Sequence, residues 1–236
     1  MKKFINNIKN IGINLSENQL NMFQKYYEML VEKNKVMNLT AITDYQEVLT
    51  KHFLDSLTLV KVININKVEK VIDVGTGGGF PGIPLKIAFP HLKITLLDSL
   101  NKRVNWLNEV IAILDLDDIK AVHGRAEEFG QNFEYREQYD LCVSRAVANL
   151  STLSEYCMPF VKKDGYFVSY KAATANEELK EAIKAIEILG GKVEDVCSFN
   201  LEDSDMERCL IKIVKIKNTS KKYPRKAGLP SKEPIK

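Results

Sequence analysis

The stretch VIDVGTGGGFPGIPL, residues 71–85, decides how the rest of the chain reads. The apolar run VIDV ends at Gly75, and Gly75, Gly77, Gly78, Gly79 and Gly82 then fall within eight positions. Ordering so glycine-rich a loop costs much backbone entropy, so packing alone is a poor reason to keep it. A strand that runs into glycines and then into a helix brings bare backbone N–H groups to a helix N-terminus, where a polar ligand can approach closely. Pro81 and Pro84 suit the first helical turn, where a missing N–H matters little.

Two glycine registers can be read here. Gly77-x-Gly79-x-x-Gly82 has the form of the dinucleotide fingerprint, whereas Gly75-x-Gly77-x-Gly79 has the form of the nucleoside-binding loop of S-adenosylmethionine enzymes. The strand ends at Gly75, so the second register begins at the turn and the first begins two residues late. Further out, Asp98 closes the next apolar run, LKITLLD, 23 positions after Gly75. A carboxylate there can accept both ribose hydroxyls of an adenosine; an Asp just before Asn101 also reads as a helix N-cap. The run HGRAEEF offers Ala126 and Glu127 to the adenine, and Arg145 in VSRAVANL emerges at the same sheet edge, where it also reads as a surface ion pair.

From residue 68 the chain alternates short apolar runs with amphipathic stretches: VEKVIDV, PGIPLKIAF, LKITLLD, KRVNWLNEVIAIL and IKAVHG, continued by YDLCVSRA, NLSTLSEYCMPFV and GYFVSYK. Strand and helix in alternation predict a parallel sheet with right-handed crossovers. NEELKEAIKAIEILG predicts a helix ending at Gly190 and Gly191. Only six residues, Glu202 to Glu207, separate VEDVCSFNL from RCLIKIVKIK, too few for a parallel crossover, so these last two strands should pair as an antiparallel hairpin. The expected fold is an α/β class I S-adenosylmethionine-dependent methyltransferase sheet, Rossmann-like, with an antiparallel last strand. An N-terminal helical extension precedes it: Ser16 and Gln19 form a capping box before Phe23, Tyr26, Tyr27, Leu30 and Val31, and Asp44 with Glu47 repeats the device. The expected divisions are 1–65 for the helical extension, 66–217 for the methyltransferase domain and 218–236 for a basic tail.

The bulk composition supports a globular protein with one large domain: 236 residues, 45% hydrophobic and 28% charged. No run of about 18 apolar residues exists and the first fifteen residues lack a signal-peptide core, so a cytoplasmic protein without membrane attachment is expected. Cys142, Cys157, Cys197 and Cys209 are scattered and read as buried free thiols, and His52, His91 and His123 form no triad or metal set. Net charge is +3, but residues 215–236 hold eight Lys/Arg against one acid. A basic tail on an acidic body reads as a local anion-binding device or as a solvated end.

Seven strings in order then become specific: NLTAI (38–42), HFLDSL (52–57), DVGTGGGFPGIPL (73–85), LLDS with KRVNWL (96–107), GRAEEF (124–129), SRAVA (144–148) and YPRKAGLPSKEPI (223–235). Together they resemble the ribosomal RNA small-subunit methyltransferase G family, also called glucose-inhibited division protein B, nearly end to end. The resemblance implies transfer of methyl from S-adenosylmethionine to N7 of a guanine in 16S ribosomal RNA, free or in the small ribosomal subunit, by a monomer. It carries the family's cofactor positions onto Gly75, Phe80, Ala126, Glu127 and Arg145, to which the loop reading adds Thr76, Gly77, Gly79, Asp98 and Ser99. Thr76 and Gly78 stand where the family often has Ser and Ala, and SYKAA (169–173) departs from its usual Lys-Gly, which leaves the role of Lys171 open.

Guanine N7 carries an in-plane lone pair in the neutral base, so no proton need be removed and no catalytic base or metal is expected. Catalysis then rests on positioning and electrostatics. His52 reads either as lining the pocket mouth or as a satisfied core histidine. RNA contacts are expected from Lys171, Lys221, Lys222, Arg225 and Lys226, with Tyr223 to stack and Arg103 after Asp98. Two other classes stay open on the residues alone: a nicotinamide-dependent oxidoreductase on the same sheet type, and a non-catalytic RNA-binding chaperone.

Overall fold

In the computed structural model, which describes residues 1–145, 148–172 and 175–236, seven strands form one sheet in the order β3-β2-β1-β4-β5-β7-β6. The chain enters through four helical pieces, α1 (Lys2–Asn10), α2 (Glu17–Met37), α3 (Tyr45–Val48) and α4 (Asp55–Leu57), the last two joined by a π-helical turn over Leu49–Leu54. Then follow β1 (Lys70–Val74), α5 (Gly82–Ala88), β2 (Lys93–Asp98), α6 (Asn101–Ile113), β3 (Ile119–His123), α7 (Ala126–Phe129), β4 (Tyr139–Arg145), α8 (Leu150–Cys157), β5 (Val161–Ala172), α9 (Ala175–Ile188), β6 (Gly191–Asn200), β7 (Glu207–Lys215) and α10 (Leu229–Lys232). Ala146 and Val147 of SRAVA and Ala173 of SYKAA lie outside the described residues.

Strands β1 to β5 pair in parallel, and β7 pairs antiparallel with both β5 and β6. The short link that excluded a crossover does form a hairpin. Strand order reverses between β1 and β4, and in such sheets ligands sit outside the carboxyl ends of the strands at that switch point. The glycine loop, Asp98 and Arg145 all follow or end strands on that edge.

Alternation along the strands feeds two cores. Val71, Ile94 and Leu96 face the side packed by Phe23, Tyr26, Phe53 and Trp106, while Ile72, Val74 and Leu97 face the side packed by Leu153, Phe160 and Ile186. The N-terminal helices therefore share a core with the sheet. Ser16 caps α2 as the pattern predicts, with Gln19 N donating to its Oγ and Ser16 N donating to Gln19 Oε1. Cys142, Cys157 and Cys209 are buried, Cys197 is half-buried, and all four are free thiols.

The C-terminal segment lies against the body. Lys215, counted with the basic tail, ends β7 fully buried and donates to the carbonyls of Met158 at 2.7 Å and Val161 at 3.0 Å, with Glu137 at 3.3 Å. Burial lowers its pKa to about 8. Arg136 then donates to the carbonyls of Thr219 and Tyr223, Gln131 to that of Pro224, and Ser151 to that of Ile235. These bonds strap residues 219–235 across α7 and α8.

Candidate active site

Strand β1 delivers its last residues into the loop, and the glycines there divide their duties. Gly77 has φ +59°, and a Cβ on it would meet only the Gly75 carbonyl oxygen at 3.9 Å; its N–H is turned to Asp98 Oδ2 at 2.9 Å. Its outer side is open ground for a ligand. Gly79 has φ +96°, and a Cβ there would stand 2.6 Å from Ile83 Cδ1 and 2.7 Å from the Tyr26 hydroxyl. A Cβ on Gly82 would stand 2.2 Å from Leu96 Cδ2. Gly79 and Gly82 are thus required by packing, which accounts for the dinucleotide-like register without a dinucleotide. Tyr26 of α2 ties the loop down, its hydroxyl donating to the Gly78 carbonyl at 2.5 Å.

Two carboxylates brace this loop. Asp73, which the sequence pattern left unassigned, is fully buried: its Oδ2 accepts from the Thr76 hydroxyl at 2.7 Å and Gly82 N–H at 2.8 Å, while Oδ1 has no partner among the described residues. Burial pushes its pKa up to about 7. The signal was an acid inside the apolar run VIDV. Asp98 is 3% exposed, with Oδ2 accepting from Gly77 N–H, Oδ1 from Leu100 N–H at 2.9 Å, and Arg103 Nη1 at 3.5 Å. The N-cap of α6 is Leu100 and carries no side-chain cap. Asp98 therefore shapes the loops at both its flanks, and Oδ1 keeps a second lone pair. Ser99 is exposed beside it. The loop, its open face and an adjoining carboxylate at the switch point fit an adenosine-bearing ligand.

Behind the loop, Phe80 packs against two groups that also bond each other. The His52 ring stacks on it with centroids 4.6 Å apart, and the Arg145 guanidinium lies 5.0 Å over the same ring. Arg145 reaches Asp55 Oδ2 at 3.0 Å and the Lys51 carbonyl at 3.3 Å, and Arg208 Nε meets Asp55 Oδ1 at 2.9 Å. Arginine only donates, so His52 Nδ1, 3.2 Å from Arg145 Nη2, is the acceptor and Nε2 carries the proton, donated to Thr40 Oγ1 at 2.7 Å. Burial and the Arg145 charge lower the His52 pKa to about 3, so the ring is neutral. Both readings of His52 hold together: a satisfied histidine that also lines a cavity of about 660 Å³ with Asp55, Arg145, Tyr170, Lys171 and Glu178. Asp55 and Arg208 were not singled out from sequence; Asp55 stands within HFLDSL.

The residues expected to meet RNA divide. Lys221, Lys222 and Lys226 are exposed. Tyr223 and Arg225 differ from the free, stacking tail expected of them. Tyr223 is buried at 9% exposure, and Arg225 is clamped to Glu155, Nε to Oε1 at 2.9 Å and Nη2 to Oε2 at 2.7 Å, because that buried carboxylate needs a counter-charge. Arg103 is partly exposed beside Asp98, and Lys171 is inside the cavity wall. Ala126 opens α7, and Glu127, the adenine candidate, accepts from Gly228 N–H of the strap at 2.8 Å. Among the described residues no group of His, Cys, Asp and Glu is arranged to hold a metal.

Sheet order, antiparallel last strand and a glycine loop facing a strand-end acid define the class I methyltransferase fold. Fibrillarin from Aeropyrum pernix, solved with bound S-adenosyl-L-methionine, superposes with a TM-score of 0.51 at 16% identity over 64% of this chain and 69% of that one. The family described as rRNA small subunit methyltransferase G matches residues 19–209. Proteins named ribosomal RNA small subunit methyltransferase G are 54% identical over 98% of this chain and 96% of the relative in Lachnoclostridium phytofermentans, and 50% identical over 100% and 98% in Bacillus subtilis. The chain belongs to the rRNA small subunit methyltransferase G family.

Proposed function

We propose that the protein methylates N7 of a guanine in 16S ribosomal RNA, using S-adenosylmethionine. The observation that carries this reading is one juxtaposition: the glycine loop with Gly77 facing Asp98 and, joined to it through Phe80 and His52, the cavity lined by His52, Arg145 and Lys171. The cofactor supplies a methyl on a sulfonium, and as the purine N7 lone pair forms the N–C bond the S–C bond breaks, leaving a thioether and a cationic base.

The chain's own groups position the partners and do not move protons. His52 has no free nitrogen and its pKa of about 3 leaves it neutral; Asp55 is saturated by two arginines. Neither acts as a base, which matches a nucleophile that needs none. Phe80, packed against the bonded pair His52–Arg145, links the glycine loop to the wall of the cavity. Asp98 and the open side of the loop at Gly77 would hold the adenosine end, and the exposed Lys221, Lys222 and Lys226 offer charge to phosphates. With ribosomal RNA as acceptor, the place of action is the cytoplasm.

The test pairs calorimetry with nucleoside mass spectrometry. S-adenosylmethionine should bind and NADH should not, and unmodified 16S ribosomal RNA should acquire 7-methylguanosine. NADH binding, or methyl appearing on another atom, overturns the reading.

A further inference from the structure

Adenine and guanine both carry a nucleophilic N7, so the transfer chemistry does not by itself choose between them. The choice must be made at the six-membered edge. There guanine shows an acceptor at O6 beside donors at N1 and N2, and adenine shows a donor at N6 beside an acceptor at N1. The cavity behind Phe80 has its polar groups unevenly spent. On the His52 side, Asp55, Arg145 and the histidine satisfy one another. On the far side the pair Lys171–Glu178 does not close on itself.

Glu178 Oε2 accepts from Lys171 Nζ at 2.6 Å and from Leu150 N–H at 3.1 Å; its Oε1 has no partner among the described residues, and 32% of the side chain is exposed. Lys171, its side chain 8% exposed, places a second proton on the Ala148 carbonyl at 2.7 Å and keeps a third. Both residues line the cavity. One wall therefore presents an ammonium donor next to a carboxylate acceptor.

We infer that Lys171 and Glu178 are the specificity-determining pair that reads the acceptor base, Lys171 donating to guanine O6 and Glu178 accepting from N1–H and N2–H. This rests on the proposed N7 transfer. Adenine in the same place would set its amino donors against the ammonium and its N1 lone pair against the carboxylate, leaving the third Lys171 proton and Glu178 Oε1 without partners in a partly dry site. Such mismatches are rejected far more strongly than differences in shape.

The experiment uses the full chain and 16S ribosomal RNA whose acceptor nucleotide, mapped by borohydride–aniline cleavage after reaction with the wild-type protein, is kept as guanosine or replaced by inosine, which lacks only the 2-amino group. Glu178→Gln should lower kcat/KM on the guanosine RNA about 10- to 100-fold, the range for a lost charge-assisted hydrogen bond. It should also erase most of the guanosine-over-inosine preference that the wild type shows. Lys171→Met should slow both RNAs alike, because both carry O6. Wild-type melting temperatures and S-adenosylmethionine affinities in the variants would separate base reading from folding. An unchanged guanosine-to-inosine ratio in Glu178→Gln, or a wild type indifferent to inosine, overturns the inference. Loss of S-adenosylmethionine binding by the wild type itself would instead overturn the underlying function.

Discussion

Gly77 and Gly82 stand five positions apart, and their substitutions should differ in their effect on cofactor binding. Gly77→Ala puts its methyl in open space at a left-handed backbone, costing about 1–2 kcal/mol of stability, and should weaken S-adenosylmethionine binding while the fold survives. Gly82→Ala drives a methyl into Leu96 and should lower stability by about 1–3 kcal/mol by overpacking. Thermal melting beside calorimetry distinguishes them; equal losses of stability with intact binding would refute the division. Asp98→Ala removes the acceptor of Gly77 N–H as well as a candidate ribose contact, so cofactor affinity should fall by about 1.5–3 kcal/mol. Two buried groups also give opposite pH dependences. His52 titrates near 6.5 unfolded and about 3 folded, so its contribution is complete above pH 6.5 and is lost as pH falls toward 3. Asp73 titrates near 3.8 unfolded and about 7 folded, so its contribution is complete below 3.8 and declines as pH rises toward 7. In urea titrations between pH 4 and 6.5, His52→Gln should flatten the acid decline, and Asp73→Asn should steepen it. These roles were only half legible: Gly75, Gly77 and Asp98 follow from spacing, whereas Asp55 and Asp73 matter through partners that no local pattern names.

At the scale of elements, the parts governed by local rules were readable. The capping box of α2, the parallel alternation and the closing hairpin follow from periodicity and loop length. The π-helical turn at Leu49–Leu54 breaks the helical period, yet it carries His52 to Phe80. The strap was hidden as well, because proline- and lysine-rich segments look solvated until a partner such as Glu155 is known. Arg225→Ala leaves that carboxylate, 1% exposed, without its counter-charge, and breaking a buried pair typically costs about 3–5 kcal/mol. Since Arg225 itself is 23% exposed, a loss at the lower end is expected, read as a drop in melting temperature. Lys226→Ala, on an exposed side chain, should leave melting unchanged.

For the whole molecule, the charge imbalance that looked like one basic tail separates into two populations. Lys215 and Arg225 are structural, spent on Glu137 and Glu155, while Lys217, Lys221, Lys222, Lys226, Lys232 and Lys236 remain on the surface of a segment that also reaches Glu127 through Gly228. Only the second population is available to phosphates, and holding it on a docked strap avoids much of the ordering entropy that a loose tail would lose on binding. If Lys221, Lys222 and Lys226 neutralise RNA phosphates, changing these three to Ala should flatten the log–log salt dependence of RNA binding by about 2–3 units, since each phosphate contributes roughly 0.7 to 0.9. S-adenosylmethionine affinity should stay at its wild-type value and the melting temperature should change little, because Lys222 Nζ, 5.0 Å over the Tyr223 ring, makes only an exposed cation–π contact with the strap. Filter binding of 16S ribosomal RNA across a salt series reads the slope directly. A slope equal to that of the wild type would place the RNA surface elsewhere, with Lys33 and Lys35 on α2 the next residues to change.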